Sequence, residues 1–175
     1  MYIDFLNDRQ EYDRIWDKVD EKLKFAPSCY YRGHSMNVPL PFQIEGDYAV
    51  YGIDNMTDEQ IDLVNKTIKE IFADVTPEGR RMYALDWHHA SFIFDPRNDE
   101  EQKDVWIEDE KQPDGGCYAY FPVFLPDGDY YFFIDELFEF GYLGHPWRKE
   151  IWVFGDKLIA KIEEVYHTLG WQKIR

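Results

Sequence analysis

The stretch YAYFPVFLPDGDYYFFI, residues 118–134, decides the fold class. It holds two aromatic-rich runs joined by Pro126-Asp127-Gly128, in which Gly supplies a positive φ and Asp tolerates the turn. The reading is a hairpin, with Tyr118–Phe124 and Asp129–Ile134 as antiparallel neighbours. Pro122 has no N–H to give a ladder, so its strand is expected at an edge or with a bulge. The run from Tyr130 to Ile134 is apolar at every position rather than alternating, and so is Ile151 to Phe154. Such runs belong inside a sheet covered on both faces.

Outward from this core, three helices follow from apolar spacing. The first covers about Asp8 to Lys24, with Tyr12, Ile15, Trp16, Val19 and Leu23 on one stripe and Asp8 and Glu11 at capping-box spacing. The second starts at Thr57, with Gln60 in the same relation, and carries Ile61, Val64, Ile68, Ile71 and Phe72. The third covers about Asp156 to Leu169 and stops at Gly170. Tyr48–Tyr51, Arg81–Leu85, Ser91–Phe94 and Lys149–Phe154 read as strands bounded by turn residues. Val105-Trp106-Ile107 reads as a short strand with acidic flanks. The expectation is one α+β domain over residues 1–175, a mainly antiparallel sheet flanked by about three helices. One face takes the helices. The other is left for loops, the aromatic-rich segment 25–44, or another protein.

Thirty-five acidic and nineteen basic residues among 175 give a formal charge of −16. That balance opposes binding to nucleic-acid phosphates or anionic lipid, and favours capture of a basic partner. No apolar run approaches the length of a membrane span, and the charged start lacks the apolar core of a secretory signal. With two distant cysteines, Cys29 and Cys117, the reading is a cytoplasmic protein with reduced thiols, Cys117 being buried and structural.

The densest polar and aromatic segment is Asp86-Trp87-His88-His89. On a strand Asp86 and His88 face the same way, a usable pairing of carboxylate and imidazole, whereas His89 faces the other side. His145, in Gly144-His145-Pro146-Trp147, is held by Pro146 and expected near that segment. Asp86, His88 and His145 are thus the catalytic candidates. The competing reading makes them strand-end residues that only hydrogen-bond and pack. No metal or cofactor is expected, because HExxH and CxxC spacings are absent and this trio does not complete a closed zinc site. No nucleophile elbow or phosphate-binding glycine pattern occurs. Asp127, Asp129, Asp135 and Glu136 read as solvated turn acids.

Three groups of residues also point to a family: Tyr83-Ala84-Leu85-Asp86-Trp87-His88-His89; then Phe124-Leu125-Pro126-Asp127-Gly128-Asp129-Tyr130-Tyr131-Phe132-Phe133; then Phe140-Gly141-Tyr142-Leu143-Gly144-His145-Pro146-Trp147, followed by Val153-Phe154-Gly155. Together with the Trp16 helix and Pro27-Ser28, this order resembles the bacterial "domain of unknown function 2716" family. Asp127 stands where members of that family carry Asn, a swap that keeps the turn. The resemblance implies that these segments belong together and implies no activity.

Two functions remain as expectations. One is an acidic protein-binding domain, of immunity or antitoxin type, that occludes a basic toxin. Trp106, Glu108, Asp109, Glu110 and Trp147 are its contact residues. The alternative is a small enzyme using Asp86, His88 and His145, with or without a metal.

Overall fold

A computed structural model describes residues 4–5, 8–30, 32, 40–98 and 103–175. Among these residues there are ten strands and three helices. They are β1 (Asp4–Phe5), α1 (Arg9–Leu23), β2 (Tyr48–Gly52), α2 (Asp58–Val75), β3 (Met82–Asp86), β4 (Ser91–Phe94), β5 (Val105–Glu108), β6 (Gly116–Ala119), β7 (Tyr131–Asp135), β8 (Gly141–His145), β9 (Glu150–Phe154), α3 (Asp156–Val165) and β10 (Gln172–Lys173). Eight strands form one sheet in the order β1-β4-β3-β7-β8-β9-β2-β10, with β5 and β6 as a separate ribbon. Every pairing is antiparallel. The fold is α+β, as the sequence predicts.

The helices start where their caps lie. Asp8 accepts from the Gln10 and Glu11 amides, and Thr57 and Gln60 complete a reciprocal capping box. Alternation along the central strands then divides the core in two. Phe133, Tyr142, Ile151 and Val153 pack with Val64, Ile68 and Phe72 of α2 and with Leu158 and Ile162 of α3. Phe132, Ile134, Leu143, Trp152 and Phe154 face the other way, against Ile15, Val19 and Leu23 of α1 and Phe42 of the following segment, with Phe25 packed beside them. The two-sided apolar runs are therefore covered from within the chain: α2 and α3 on one face, α1 and parts of segment 25–44 on the other.

The expected hairpin does not form. Gly128 does turn the chain, at φ +79°. However, β7 pairs with β3 on one side and β8 on the other, while β6 pairs with β5. Both edges of β7 are taken, and Pro122 and Pro126 remove two donors from the run that would have joined it. Residues 120–130 instead form a strap whose Phe121, Phe124 and Leu125 pack on the face that carries α2 and α3. Phe121 packs on Phe92 and Phe124 on Phe133, and the Tyr142 hydroxyl donates to the Phe124 carbonyl at 2.6 Å. The prediction that Ile151–Phe154 shares a sheet with the 131–135 strand is correct.

Candidate functional site

Strand β3 ends at Asp86, and residues 87–90 turn back into β4. The turn is closed by Asp86 N–H to the Ala90 carbonyl at 3.2 Å and His89 N–H to the Asp86 carbonyl at 3.3 Å. Trp87 folds inward beside Phe25 and Tyr130. His88 and His89 are therefore not on opposite faces of a strand, as the sequence reading assumes. The bend brings both rings to Asp129, and His89 to Asp86 as well. Pairing of Asp86 with Tyr131 brings the residues just before β7 alongside. His89 Nδ1 lies 3.0 Å from Asp86 Oδ1 and 3.6 Å from Asp129 Oδ2, and His88 Nδ1 lies 2.9 Å from Asp129 Oδ2.

Both carboxylates are buried, at 7% and 4% relative exposure, while the two imidazoles reach solvent. Asp129 is thus no solvated turn acid. Its Oδ1 accepts the Tyr130 amide at 2.7 Å and its Oδ2 meets the histidines. Asp135 is also buried, against Arg80. Burial raises the Asp86 pKa above its ordinary value, and the hydrogen bond to Asp86 raises that of His89. Neighbouring Tyr131 is pushed up to about 12, by burial first and then by the charges of Asp86, Asp127 and Asp129.

His145 is linked to this segment through Tyr130. It is fully buried at the end of β8. Its Nδ1 accepts the Arg148 amide at 3.3 Å, so Nε2 carries the proton that it shares with the Tyr130 hydroxyl at 3.0 Å. Burial, and secondarily the Arg148 charge, lowers its pKa to about 3 and keeps it neutral. Among the described residues it makes no hydrogen bond to Asp86 or His88. Tyr130 stands between, taking the Trp87 amide on its carbonyl at 3.2 Å. The predicted trio is split: Asp86 and His88 meet around Asp129, and His145 is a structural neighbour. His89 and Asp129 are the residues that the sequence reading missed. The His-His pair just beyond a strand end was the signal for the first; nothing local marks Asp129.

The predicted binding residues divide as well. On the β5–β6 ribbon, Trp106 faces Tyr118 across the strands at 5.0 Å, and Tyr120 follows at 6.2 Å from Tyr118. These three rings are 44%, 54% and 66% exposed, with Val123 nearby in sequence at 49%. Val105 and Ile107 pack instead against the helix-side core. Glu108 and Glu110 are exposed, whereas Asp109 is half-buried and accepts the Lys111 amide inside the ribbon turn. Asp99, Glu100, Glu101 and Gln102, the start of the acidic stretch, lie outside the described residues. Trp147 is not an exposed anchor: it is half-buried against Tyr130, 5.5 Å between rings. Cys117 is exposed rather than buried, although it lies opposite Ile107 in the ribbon; it and Cys29 are free thiols.

An antiparallel sheet with helices on both faces, a His-Asp cluster at one strand end and an exposed aromatic ribbon define the class structurally. The chain belongs to the family described as "Protein of unknown function (DUF2716)", whose model matches residues 6–159. It is 34% identical over 156 residues to "Uncharacterized protein YxiI" of Bacillus subtilis (strain 168), covering 86% of each chain. No solved structure matches it. Among the described residues no helix is long and apolar enough to cross a membrane.

Proposed function

We propose that this is a cytoplasmic protein-binding domain that takes a basic protein surface on its β5–β6 ribbon, in the manner of an immunity protein covering a cationic toxin. The observation that carries the reading is the exposed Trp106–Tyr118–Tyr120 strip on a chain of charge −16. Aromatic rings supply contact area at low entropic cost, and Glu108 and Glu110 beside them supply rim charge of the sign that draws in a cation. Two exposed free thiols fit a reducing compartment. The enzyme reading keeps Asp86 and His88 and exchanges His145 for His89 and Asp129.

The test starts with capture of a cationic partner from the native host, followed by purification of both proteins and stopped-flow association. The on-rate is expected to fall steeply as the screening length drops from about 30 Å at 0.01 M salt to about 8 Å at physiological ionic strength. Neutralising Glu108, Asp109 and Glu110 to Gln, Asn and Gln should slow association more than it speeds dissociation. Trp106→Ala should speed dissociation, by at least ~30-fold if the ring is worth about 2 kcal/mol. A partner indifferent to Trp106→Ala, or the lack of any cationic partner, defeats the reading.

A further inference from the structure

Among the described residues four acids are buried: Asp86, Asp129, Asp135 and Glu150. Two of them are neutralised by guanidinium groups. Asp135 is held by Arg80, with Nε to Oδ1 at 2.9 Å. Glu150 is held by Arg32 at 3.0 Å and Arg148 at 2.8 Å, and also takes the Trp152 indole N–H. Asp86 and Asp129 have no Lys or Arg partner among the described residues. Among the described residues the ionisable side chains paired with them are the solvent-exposed imidazoles of His88 and His89. Two buried carboxylates this close repel each other and are costly to keep charged without a cation.

The spacing is that of ligands around a small metal. One atom each from Asp86, His89 and Asp129 lies within 4.8 Å of the others. Nitrogen and oxygen ligands at about 2.0–2.1 Å from a tetrahedral zinc are about 3.3–3.4 Å apart. The His89 Nδ1 separations of 3.0 and 3.6 Å straddle that value. His88 contacts the same Asp129 oxygen from outside the triad, at 2.9 Å, and the Tyr130 amide holds the other, at 2.7 Å. Supporting hydrogen bonds of this kind orient metal ligands.

We propose that Asp86, His89 and Asp129 bind one first-row divalent transition cation of the zinc type. The imidazole selects against magnesium and calcium, which prefer all-oxygen sites. Three protein ligands leave a position open to water, and the exposed rim formed by His88 and His89 is the way in. The sequence reading lacks this set because it takes His89 to point away from Asp86.

The experiment uses the full chain stripped with a chelator. Zn²⁺ is titrated by calorimetry, and Co²⁺ by its visible absorption. One ion per chain is expected, with a rise in melting temperature on binding. Asp86→Asn and Asp129→Asn remove buried groups and can unfold the chain. His89→Ala carries the test instead, since its ring is largely in solvent; it should weaken Zn²⁺ at least about tenfold and abolish the thermal shift. His88→Ala, which removes a supporting contact, should weaken Zn²⁺ about 10–100-fold. The double variant Cys29→Ser, Cys117→Ser should bind as the wild type does. Equal affinity in wild type and His89→Ala, loss of binding with the cysteines, saturation only at millimolar metal, or equal competition by Mg²⁺ would each overturn the proposal.

Discussion

Replacing Tyr130 by Phe removes one oxygen, and the structure fixes what that oxygen does. A tyrosine hydroxyl offers two acceptor positions and one donor. The Ser28 amide donates to it at 2.8 Å, His145 Nε2–H donates at 3.0 Å, and it donates to the Ser28 carbonyl at 2.7 Å. The Phe ring would still pack among Phe25, Phe42 and Trp87, so the change isolates the polar contribution. Fully buried His145 would keep an N–H with no partner, at about 1–3 kcal/mol. Half-buried Ser28 can turn its groups to water and would lose roughly 0.5–1 kcal/mol for each bond. The sum is about 3 kcal/mol, or about 6–12 °C in melting temperature for a chain of this size. Urea and thermal unfolding followed by circular dichroism measure it. Tyr131→Phe, whose hydroxyl makes one exposed bond to the Asp127 carbonyl at 3.2 Å, serves as control and should shift stability by less than about 0.5 kcal/mol. A Tyr130→Phe loss below about 1 kcal/mol would refute the saturated-hydroxyl account.

His145 gives a pH dependence with a definite sign. With its folded pKa at about 3 against an ordinary 6.5, the unfolded chain binds the extra proton between those values. The His145 contribution is complete above about pH 6.5 and declines as pH falls toward 3, at up to about 1.4 kcal/mol per unit; urea melts of wild type and His145→Gln between pH 7 and 5 should diverge by that slope. Asp135→Ala leaves Arg80 and the Leu137 and Glu139 amides without their acceptor; denaturant unfolding should show a loss of about 3–5 kcal/mol. Gly155 has φ +92°, and an added Cβ would sit 2.3 Å from Phe140 Cβ, whereas Gly79 at φ +78° faces open space. Calorimetry should therefore find Gly155→Ala costlier than Gly79→Ala by about 1–3 kcal/mol, the overpacking difference.

The three helices and the doubly covered strands were legible because burial writes itself into local periodicity. Ile15, Val19 and Leu23 repeat at helical spacing, and β7 and β9 lack polar alternation because each face meets a different half of the core. The hairpin was misread because Asp127-Gly128 encodes a reversal of the chain and says nothing about which strands flank it. Strand β7 finds one partner strand 45 to 53 residues back, from Asp86 opposite Tyr131 to Met82 opposite Asp135, and the other across the next turn in β8. The candidate site failed for a related reason. Whether His88 and His89 diverge or converge depends on the residue at which β3 stops, and one residue of strand more or less reverses the answer. Asp129 could not be distinguished from Asp127 by its neighbours in sequence; only the pairing of Asp86 with Tyr131 places it against the histidines.

Placement also separates the two proposals physically. The ribbon is anchored through Val105 and Ile107 to the core beneath α2 and α3, while Trp87 and Tyr130, which back the His-Asp cluster, belong to the core beneath α1. Changes at Trp106 and Tyr118 touch neither carboxylate, and changes at His88 and His89 remove no ribbon contact. Energetic effects at sites without shared partners add. A Trp106→Ala, His89→Ala double variant should therefore lose partner affinity and zinc affinity each by the same factor as the corresponding single variant. Departure from that additivity would mean that the strap of residues 120–130, which runs from the end of the ribbon to Asp129 and Tyr130, couples partner and ion.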